Sequence, residues 1–136
     1  MAQIRSYLRF NGNAQEAFDF YKSCLGGDLT TTKIGESPMA QFMPDKKDRI
    51  FHAQLKSGDL VLLGSDMIPD DGLKKGNTSV LTLECQSKKE AQDLFAKLSE
   101  GGKVGHALSE QEWGTIGDFV DKFDVDWFVV CMEPKA

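Results

Sequence analysis

The chain has 136 residues, enough for one domain with a substantial core, and its 40% apolar and 27% charged residues are typical of a soluble globular protein. The net charge of −5 comes without a basic stripe, which argues against nucleic-acid binding, and no apolar run reaches the roughly 20 residues of a membrane span. Three cysteines in no CxxC pattern favour buried thiols in a reduced, cytoplasmic compartment over disulfides or a zinc ribbon.

The first predicted element is a strand over 4–10, "IRSYLRF", in which apolar and polar residues alternate. An amphipathic helix follows, with a capping-box pattern at Asn13-x-x-Glu16 and a stop at Gly26-Gly27. Its apolar residues fall at helical spacing: Ala17, Phe20, Tyr21, Cys24 and Leu25. Cap, stripe and stop agree, so the segment is predicted to be a helix packed on a core.

Three further strands complete a first module, residues 1–66. A weaker strand lies near 28–34, and "FHAQLKSGDLVLLGS" reads as a hairpin that turns at Ser57-Gly58. The irregular stretch 35–48 between them is long enough to cover a site. Residues 67–76, rich in Pro, Gly, Asp and Lys, are predicted to be a linker.

The second module, residues 77–136, repeats this plan. A strand over 78–85 precedes a helix that opens with Ser87-x-x-Glu90 and closes on Gly101-Gly102. Its apolar residues are spaced as in the first helix: Ala91, Leu94, Phe95 and Leu98. A weaker strand near 103–109 and a hairpin turning at Asp124-Val125 follow. The recurrence indicates a structural unit built twice, and the helices themselves are not predicted to carry chemistry.

The stretches "YLRFNGNAQEAFDFY…LGGDL", "FHAQLKSGDLVLLGSD", "EAQDLFAKLSEGGKV" and "LSEQEWGTIGDFVDKFDVDWFV" resemble the PhnB-like branch of the vicinal-oxygen-chelate superfamily. That superfamily includes glyoxalase I, bleomycin-resistance proteins and extradiol dioxygenases. The resemblance implies a single α+β domain of two tandem βαβββ modules, whose mixed sheet curls into a cup with the helices outside. Asp124 stands where this branch usually has glycine, and aspartate tolerates turn geometry at small cost.

In metal-using relatives, His and Glu residues from the first and last strand of each module hold the ion. Carrying those positions over by resemblance gives Arg5 (or Ser6), Leu63, Val80 (or Ser79) and Val130. Divalent first-row metals prefer imidazole, carboxylate or thiolate, so the usual metal site is predicted to be absent. No other cofactor is expected, because no Gly-rich strand-to-helix loop is present for a methyl donor, although members of this branch often carry a methyltransferase label.

Strand alternation predicts which residues line the cup in the first module. Leu8 and Phe10 should face the helices, because they are the bulky apolar members of the first strand. The same strand then turns three side chains inward: Arg5, Tyr7 and Arg9. A turn at Ser57-Gly58 pairs His52 with Leu63 and Gln54 with Val61, and it places His52 and Gln54 inside too.

The same reasoning in the second module leaves Glu84 inside, because Leu81, Leu83 and Cys85 face the helices. In the last hairpin, Phe119 is paired with Val130 and Asp121 with Phe128, which places these side chains inside as well. The resemblance adds two more residues, because "EQEW" keeps the Glu and Trp of the family stretch "ETFW": Glu110 and Trp113.

These residues form the predicted site: ligand-binding Arg5, Tyr7, Arg9, Gln54, Glu84, Glu110, Trp113, Phe119, Asp121 and Phe128, and a candidate catalytic His52. One interpretation is a ligand-filled cavity, since unpaired charges are costly to bury. Internal salt bridges between the arginines and the carboxylates are the alternative. His52 is either a general base or hydrogen-bond anchor, or an imidazole satisfied within its strand pair.

Three functions compete on these grounds. A protein that binds a small molecule without a metal is predicted first. An enzyme of lyase, isomerase or dioxygenase type is the alternative, with His52 as base or as part of a rebuilt divalent-metal site. An interaction protein without a ligand is the third. The resemblance also implies a homodimer, and neither nucleic acid nor membrane is expected as a partner.

Overall fold

The computed structural model describes residues 2–132. The chain divides into two compact units, Met1–Lys75 and Gly76–Ala136. No helix within the described residues is long and apolar enough to cross a membrane.

The first unit has one helix and four strands: β1 (Ser6–Arg9), α1 (Ala14–Leu25), β2 (Asp28–Lys33), β3 (Ile50–Ser57) and β4 (Leu60–Ser65). Two short 3₁₀ turns, Ile34–Glu36 and Pro44–Lys46, lie in the irregular stretch between β2 and β3. The second unit repeats the order: β5 (Leu81–Cys85), α2 (Lys88–Ser99), β6 (Lys103–Gln111), β7 (Gly114–Val120) and β8 (Asp126–Cys131).

Each unit forms a four-stranded mixed sheet with the same topology. The strand order is β1-β4-β3-β2 in the first sheet and β5-β8-β7-β6 in the second. The first pair of each sheet is parallel and the others are antiparallel. The predicted α+β fold of two βαβββ modules is therefore confirmed, and the curling of the strands into one cup stays a prediction.

One face of the first sheet packs on α1. Ala53, Leu55 and Leu62 on this face are at most 5% exposed. Phe18 of the helix packs edge-on against Phe10 and Tyr21, with ring centroids 6.1 and 5.9 Å apart. The predicted stripe is largely confirmed, except that Phe18 takes the fully buried position while Phe20 and Leu25 are half-buried.

The second sheet packs on α2 through aromatic residues. Phe95 of the helix lies edge-on to Phe119 of β7, with centroids 5.0 Å apart, and Phe119 stacks on Trp127 of β8 at 6.4 Å. Ala91 and Leu98 are fully buried as predicted, and Leu94 is half-buried. Each unit thus has a core between one helix and one sheet face.

The two helices are capped by different means. Ser87 Oγ accepts a hydrogen bond from the Glu90 backbone at 3.1 Å, and the Glu90 carboxylate accepts one from the Gln86 amide at 2.9 Å. The predicted cap at Ser87 is therefore confirmed. The predicted Asn13 cap is wrong, because the Asn13 side chain makes no cap hydrogen bond.

Asp66 supplies the missing cap of α1 from the end of β4. Its Oδ1 accepts from the Gly12 and Ala14 amides at 2.8 and 3.0 Å, and its Oδ2 accepts from the Ile50 amide at 2.8 Å. The residue is 2% exposed, so the three amides replace its hydration. Asp66 therefore ties the start of α1 to the start of β3.

Asp121 plays a comparable part in the second unit. Its Oδ1 accepts from the Phe123 and Val125 amides at 2.8 and 3.1 Å, and its Oδ2 accepts from Trp127 Nε1 at 2.9 Å. These bonds hold a five-residue loop between β7 and β8, in which Asp124 adopts a positive φ of 67°. The carboxylate is 3% exposed and belongs to the packing of this hairpin.

Candidate functional site

The first unit has a sheet face opposite α1, which we term the first open face. Residues aligned across the four strands share it, since directly paired residues point to the same side. Tyr7 of β1 lies opposite Leu63 of β4, Leu63 opposite Gln54 of β3, and Gln54 opposite Thr30 of β2. The adjacent row on this face carries Arg9, Ser65, His52 and Thr32.

In the hairpin of β3 and β4, the observed strand pairing is shifted by two residues from the predicted pairing. Gln54 pairs with Leu63, where His52 was predicted. Side chains alternate with a period of two, so a shift of two keeps every residue on its predicted face. His52 and Gln54 therefore lie on the first open face, although their predicted pairing was wrong.

An aromatic pair lies at the centre of the first open face. The rings of Tyr7 and His52 have centroids 6.2 Å apart and are tilted by 37°. Tyr7 is 47% exposed, and His52, Gln54 and Leu63 are half-buried. Such a surface offers ring edges and faces to a planar ligand while staying open to solvent.

The polar groups around this pair have unused hydrogen-bonding capacity. Within residues 2–132, the side chains of Tyr7, Arg9, His52 and Gln54 form no hydrogen bond or ion pair. Together they offer a hydroxyl, a guanidinium, an imidazole and a carboxamide. Arg9 forms no ion pair with a carboxylate within the same residues, so the alternative of internal salt bridges is not supported for Arg9.

The charges of the first open face are unevenly placed. Arg9 lies in the row of His52, whereas the carboxylate of Asp28 lies opposite Lys56 in the row beyond Gln54. The neighbourhood of Tyr7 and His52 therefore has a cation and no carboxylate among the paired positions. An anionic group is the natural partner of such a surface.

Arg5 lies just outside this arrangement. It precedes β1, is exposed, and donates a hydrogen bond from its guanidinium to Gln3 Oε1 at 2.7 Å. The structure therefore places Tyr7, Arg9, His52 and Gln54 on one face and leaves Arg5 beside it.

The second unit has a corresponding sheet face opposite α2, which we term the second open face. One row carries Thr82 of β5, Phe128 of β8, Asp118 of β7 and His106 of β6. The next row carries Glu84, Val130, Ile116 and Ser109. Two predicted residues, Glu84 and Phe128, are on this face as expected.

Phe119 and Asp121 were predicted on the wrong face. The last hairpin pairs Phe119 with Trp127, where Val130 was predicted, so its register is shifted by an odd number of residues. Phe119 is 2% exposed and packs against α2. Both carboxylate oxygens of Asp121 accept hydrogen bonds within the hairpin. Neither side chain is available to a ligand on the second open face.

Glu110 and Trp113 lie at the hairpin between β6 and β7. Glu110 pairs in register with the buried Thr115 and forms an ion pair with Lys88 at the start of α2. This places Glu110 on the helix side of the sheet. Trp113 lies in the turn and is 43% exposed. It is not paired with a residue of the row that contains Phe128.

A contact between His106 and Asp118 was not predicted. His106 Nδ1 lies 2.8 Å from Asp118 Oδ2 on the second open face. Irregular pairing on both sides of His106 turns its side chain to this face. Simple alternation along the sequence has no signal for such bulges, so it does not predict the contact between His106 and Asp118.

The donor set does not fit the metal site that the fold implies. The parallel strand pair of each sheet places Tyr7 beside Leu63, where Arg5 or Ser6 was expected, and Glu84 beside Val130, where Val80 or Ser79 was expected. Of the four side chains placed there, only Glu84 is an ordinary ligand of divalent first-row metals. Within residues 2–132, no group of three or more His, Cys, Asp or Glu residues is placed to hold an ion.

The three cysteines are buried free thiols. Burial, together with the nearby Glu90 and Cys131, raises the pKa of Cys85 to about 11. The thiol form therefore predominates at neutral pH, and the thiolate is the nucleophilic form. Cys85 is accordingly a packing residue of the β5–β8 pair.

Comparison with known proteins supports one family. The family model described as 3-demethylubiquinone-9 3-methyltransferase matches residues 2–130. The structure of protein PA1353 from Pseudomonas aeruginosa is 40% identical, covers 96% of this chain and 98% of its own, and has a TM-score of 0.85. No curated protein matches the chain.

More distant structures share the fold. The PhnB protein from Bacillus cereus is 22% identical over 96% of this chain and 99% of its own, with a TM-score of 0.75. A glyoxylase/bleomycin resistance protein/dioxygenase domain from Frankia sp. is 14% identical over 98% and 93%, with a TM-score of 0.63. At these identities the likeness concerns the fold alone.

Proposed function

The chain belongs to the family described as 3-demethylubiquinone-9 3-methyltransferase, within the glyoxalase/bleomycin-resistance/dioxygenase structural superfamily, and from that premise we propose that it binds a small molecule. The ligand lies on the first open face and is held without the usual superfamily metal site. The binding residues are Tyr7, Arg9, His52 and Gln54.

The observation that carries the proposal is the spare bonding capacity around the Tyr7–His52 ring pair. A sheet face that only filled space would be aliphatic, and a polar face that only stabilised the fold would pair its own groups. Here a half-buried imidazole and a half-buried carboxamide have no described partner. A ligand that hydrogen-bonds to them gains affinity without first breaking protein contacts.

The arrangement favours a planar ligand with an anionic group. An aromatic ring can pack on Leu63 and against the tilted rings of Tyr7 and His52. A carboxylate or phosphate on that ring can accept hydrogen bonds from Arg9 and from the carboxamide N–H of Gln54. His52 anchors the ligand through a ring nitrogen.

Methyl transfer, which the family description names, has no support in the first unit. The connection from β1 to α1 has a single glycine, Gly12, and its amide and that of Ala14 are bonded to Asp66. These amides are the groups that a Gly-rich loop would present to a cofactor. Binding is thus a better account than methyl transfer.

Catalysis by His52 is the weaker alternative. A general base is usually oriented by a third group, and His52 contacts Tyr7 without a described carboxylate partner. We retain binding as the proposed role. A homodimer stays a prediction from the resemblance, and a cytoplasmic location stays a prediction from the cysteine pattern.

The proposal is tested by thermal unfolding with benzoate, phenylacetate and phenyl phosphate, with benzamide as the uncharged comparison. A ligand at 100 times its Kd should stabilise the fold by about 2.7 kcal/mol and raise the melting temperature by roughly 10 °C. Arg9→Ala should weaken binding of the anionic compounds about tenfold or more, because a charge-assisted hydrogen bond contributes about 1.5–3 kcal/mol.

Lys89→Ala is the matched control, since it removes an exposed positive charge from α2 in the other unit. It should leave all shifts unchanged. Equal weakening by Lys89→Ala and Arg9→Ala, or equal shifts with benzamide and benzoate, would sink the proposal.

A further inference from the structure

Strand β6 is irregular on both sides of His106. Val104 pairs with Phe119 on the helix side of the sheet, and His106 pairs with Asp118 on the opposite side. In regular pairing, residues two apart share a face. The register shifts between Val104 and His106 and between His106 and Ser109 therefore turn His106 toward the second open face.

The contact between His106 and Asp118 depends on the residue before the histidine. A Cβ added at Gly105 would overlap Asp118 Oδ1. Glycine thus leaves the space in which the carboxylate lies beside the imidazole. The Asp118 side chain is 31% exposed and that of His106 is 85% exposed, so the carboxylate is the more sheltered member of the pair.

The contact fixes the proton arrangement of the neutral ring. An ionised carboxylate only accepts hydrogen bonds, so Nδ1 must carry the hydrogen that it donates to Asp118 Oδ2. The lone pair of neutral imidazole then resides on Nε2. His106 is exposed, so this basic nitrogen is accessible.

Apolar side chains lie next to this pair. Phe128 is directly opposite Asp118 on β8, and Ile116 lies in the next row of β7. Both are half-buried on the second open face. They offer a surface for a flat ring whose substituent reaches His106.

We propose that His106 and Asp118 form a second ligand site, in which His106 Nε2 accepts the proton of a phenolic or enolic hydroxyl group. The O–H bond breaks, its electron pair stays on oxygen, and the new N–H bond holds the resulting oxyanion. Asp118 is a positioning residue that orients the ring and stabilises the imidazolium. This site lies in the second unit and does not depend on the proposed function of the first.

The chain has two histidines, so their side chains can be followed separately by NMR on protein with ¹⁵N-labelled histidine. The expected result is a neutral His106 protonated on Nδ1. Asp118→Asn should shift the tautomer toward Nε2–H, because a carboxamide N–H can donate to Nδ1. Gly105→Ala should act in the same direction with the carboxylate retained but displaced.

Binding is tested with 4-nitrophenol, whose phenolate absorbs visible light. At a pH where the free phenol is mostly protonated, wild-type protein should increase the phenolate absorbance and the His106 signal should move. His106→Ala should weaken this effect at least tenfold, and its fold should persist because the side chain is exposed. Lys103→Ala, which removes a cation from the same strand, should change it little.

Three results would overturn the inference. The first is a neutral His106 protonated on Nε2 in the wild-type protein. The second is the same absorbance change in His106→Ala as in wild type, or an equal loss in Lys103→Ala. In the third, 4-nitrophenol moves the His52 signal alone, which would place the compound on the first open face and leave the proposed function standing.

Discussion

The polar residues of the chain differ in how fully their bonding groups are used. Asp66 gives both oxygens to three backbone amides, whereas His52 has none of its nitrogens bonded to a described group. The sequence could not separate these cases, because Asp66 lies next to the linker while Ala14 at the start of α1 and Gly12 before it are 52 and 54 residues away. Contacts with residues distant in the sequence decide which polar side chain stabilises the fold and which is free to bind a ligand.

At Asp66 we expect a large loss of stability on truncation. Asp66→Ala leaves three amides without their acceptor, two of them in buried hydrogen bonds, and should lower the free energy of unfolding by about 3–5 kcal/mol. Asp66→Asn keeps one oxygen and should lose less. Urea unfolding followed by circular dichroism measures both.

Asp93→Ala is the control, since Asp93 is exposed on α2 and its replacement should change stability by no more than about 0.5 kcal/mol. A comparable small effect for Asp66→Ala would refute the role assigned to its carboxylate.

At the scale of elements, two helices with the same sequence pattern start differently. Ser87 caps α2 from its own side chain, whereas α1 receives its cap from Asp66 of the neighbouring strand end. The pattern Asn13-x-x-Glu16 was sufficient to locate the helix and insufficient to identify its cap. Tertiary contacts supplied a stronger acceptor than the local one.

This difference predicts unequal effects of cap removal. Ser87→Ala should cost about 1 kcal/mol, the usual value for a capping hydroxyl. Asn13→Ala should change stability by less than about 0.5 kcal/mol, because its side chain makes no cap bond. Urea unfolding of the two variants side by side checks this, and similar losses would contradict the assignment.

The two hairpins show which features of the sheets could be predicted from the sequence: the turns could be located approximately, and the strand register could not. The Ser57-Gly58 signal located a two-residue turn nearly correctly, and the resulting shift of two preserved the faces of His52 and Gln54. The last hairpin has three aspartates that can start or end a turn: Asp121, Asp124 and Asp126. The Asp121 side chain stabilises a five-residue loop by accepting hydrogen bonds from two of its amides. This loop inverts the predicted faces of Phe119 and Asp121.

At the scale of the whole chain, two units share a topology and differ in surface chemistry. The first open face combines Tyr7, Arg9 and His52, and the second combines Phe128 with the His106–Asp118 pair. Apolar periodicity and turn residues were enough to predict both modules. The sites were predicted only in part, because they depend on register and on bulges that periodicity does not encode.

The donor sets of the two units predict a protein without a bound transition metal. Elemental analysis of protein purified without chelators, and again after incubation with Zn²⁺ followed by gel filtration, should find well below one ion per chain. The physical reason is that Leu63 and Val130 stand where ligands would be needed. A tightly held ion that is lost in His52→Ala would mean that a metal site has been rebuilt around that residue.

The most direct test of the account is the His52 imidazole signal of ¹⁵N-histidine-labelled protein during titration with the anionic compound that raises the melting temperature most. The His52 signal should move and saturate with the same Kd as the thermal shift, and Arg9→Ala should raise this Kd about tenfold. A compound that stabilises the protein while the His52 signal stays unchanged would contradict binding on the first open face.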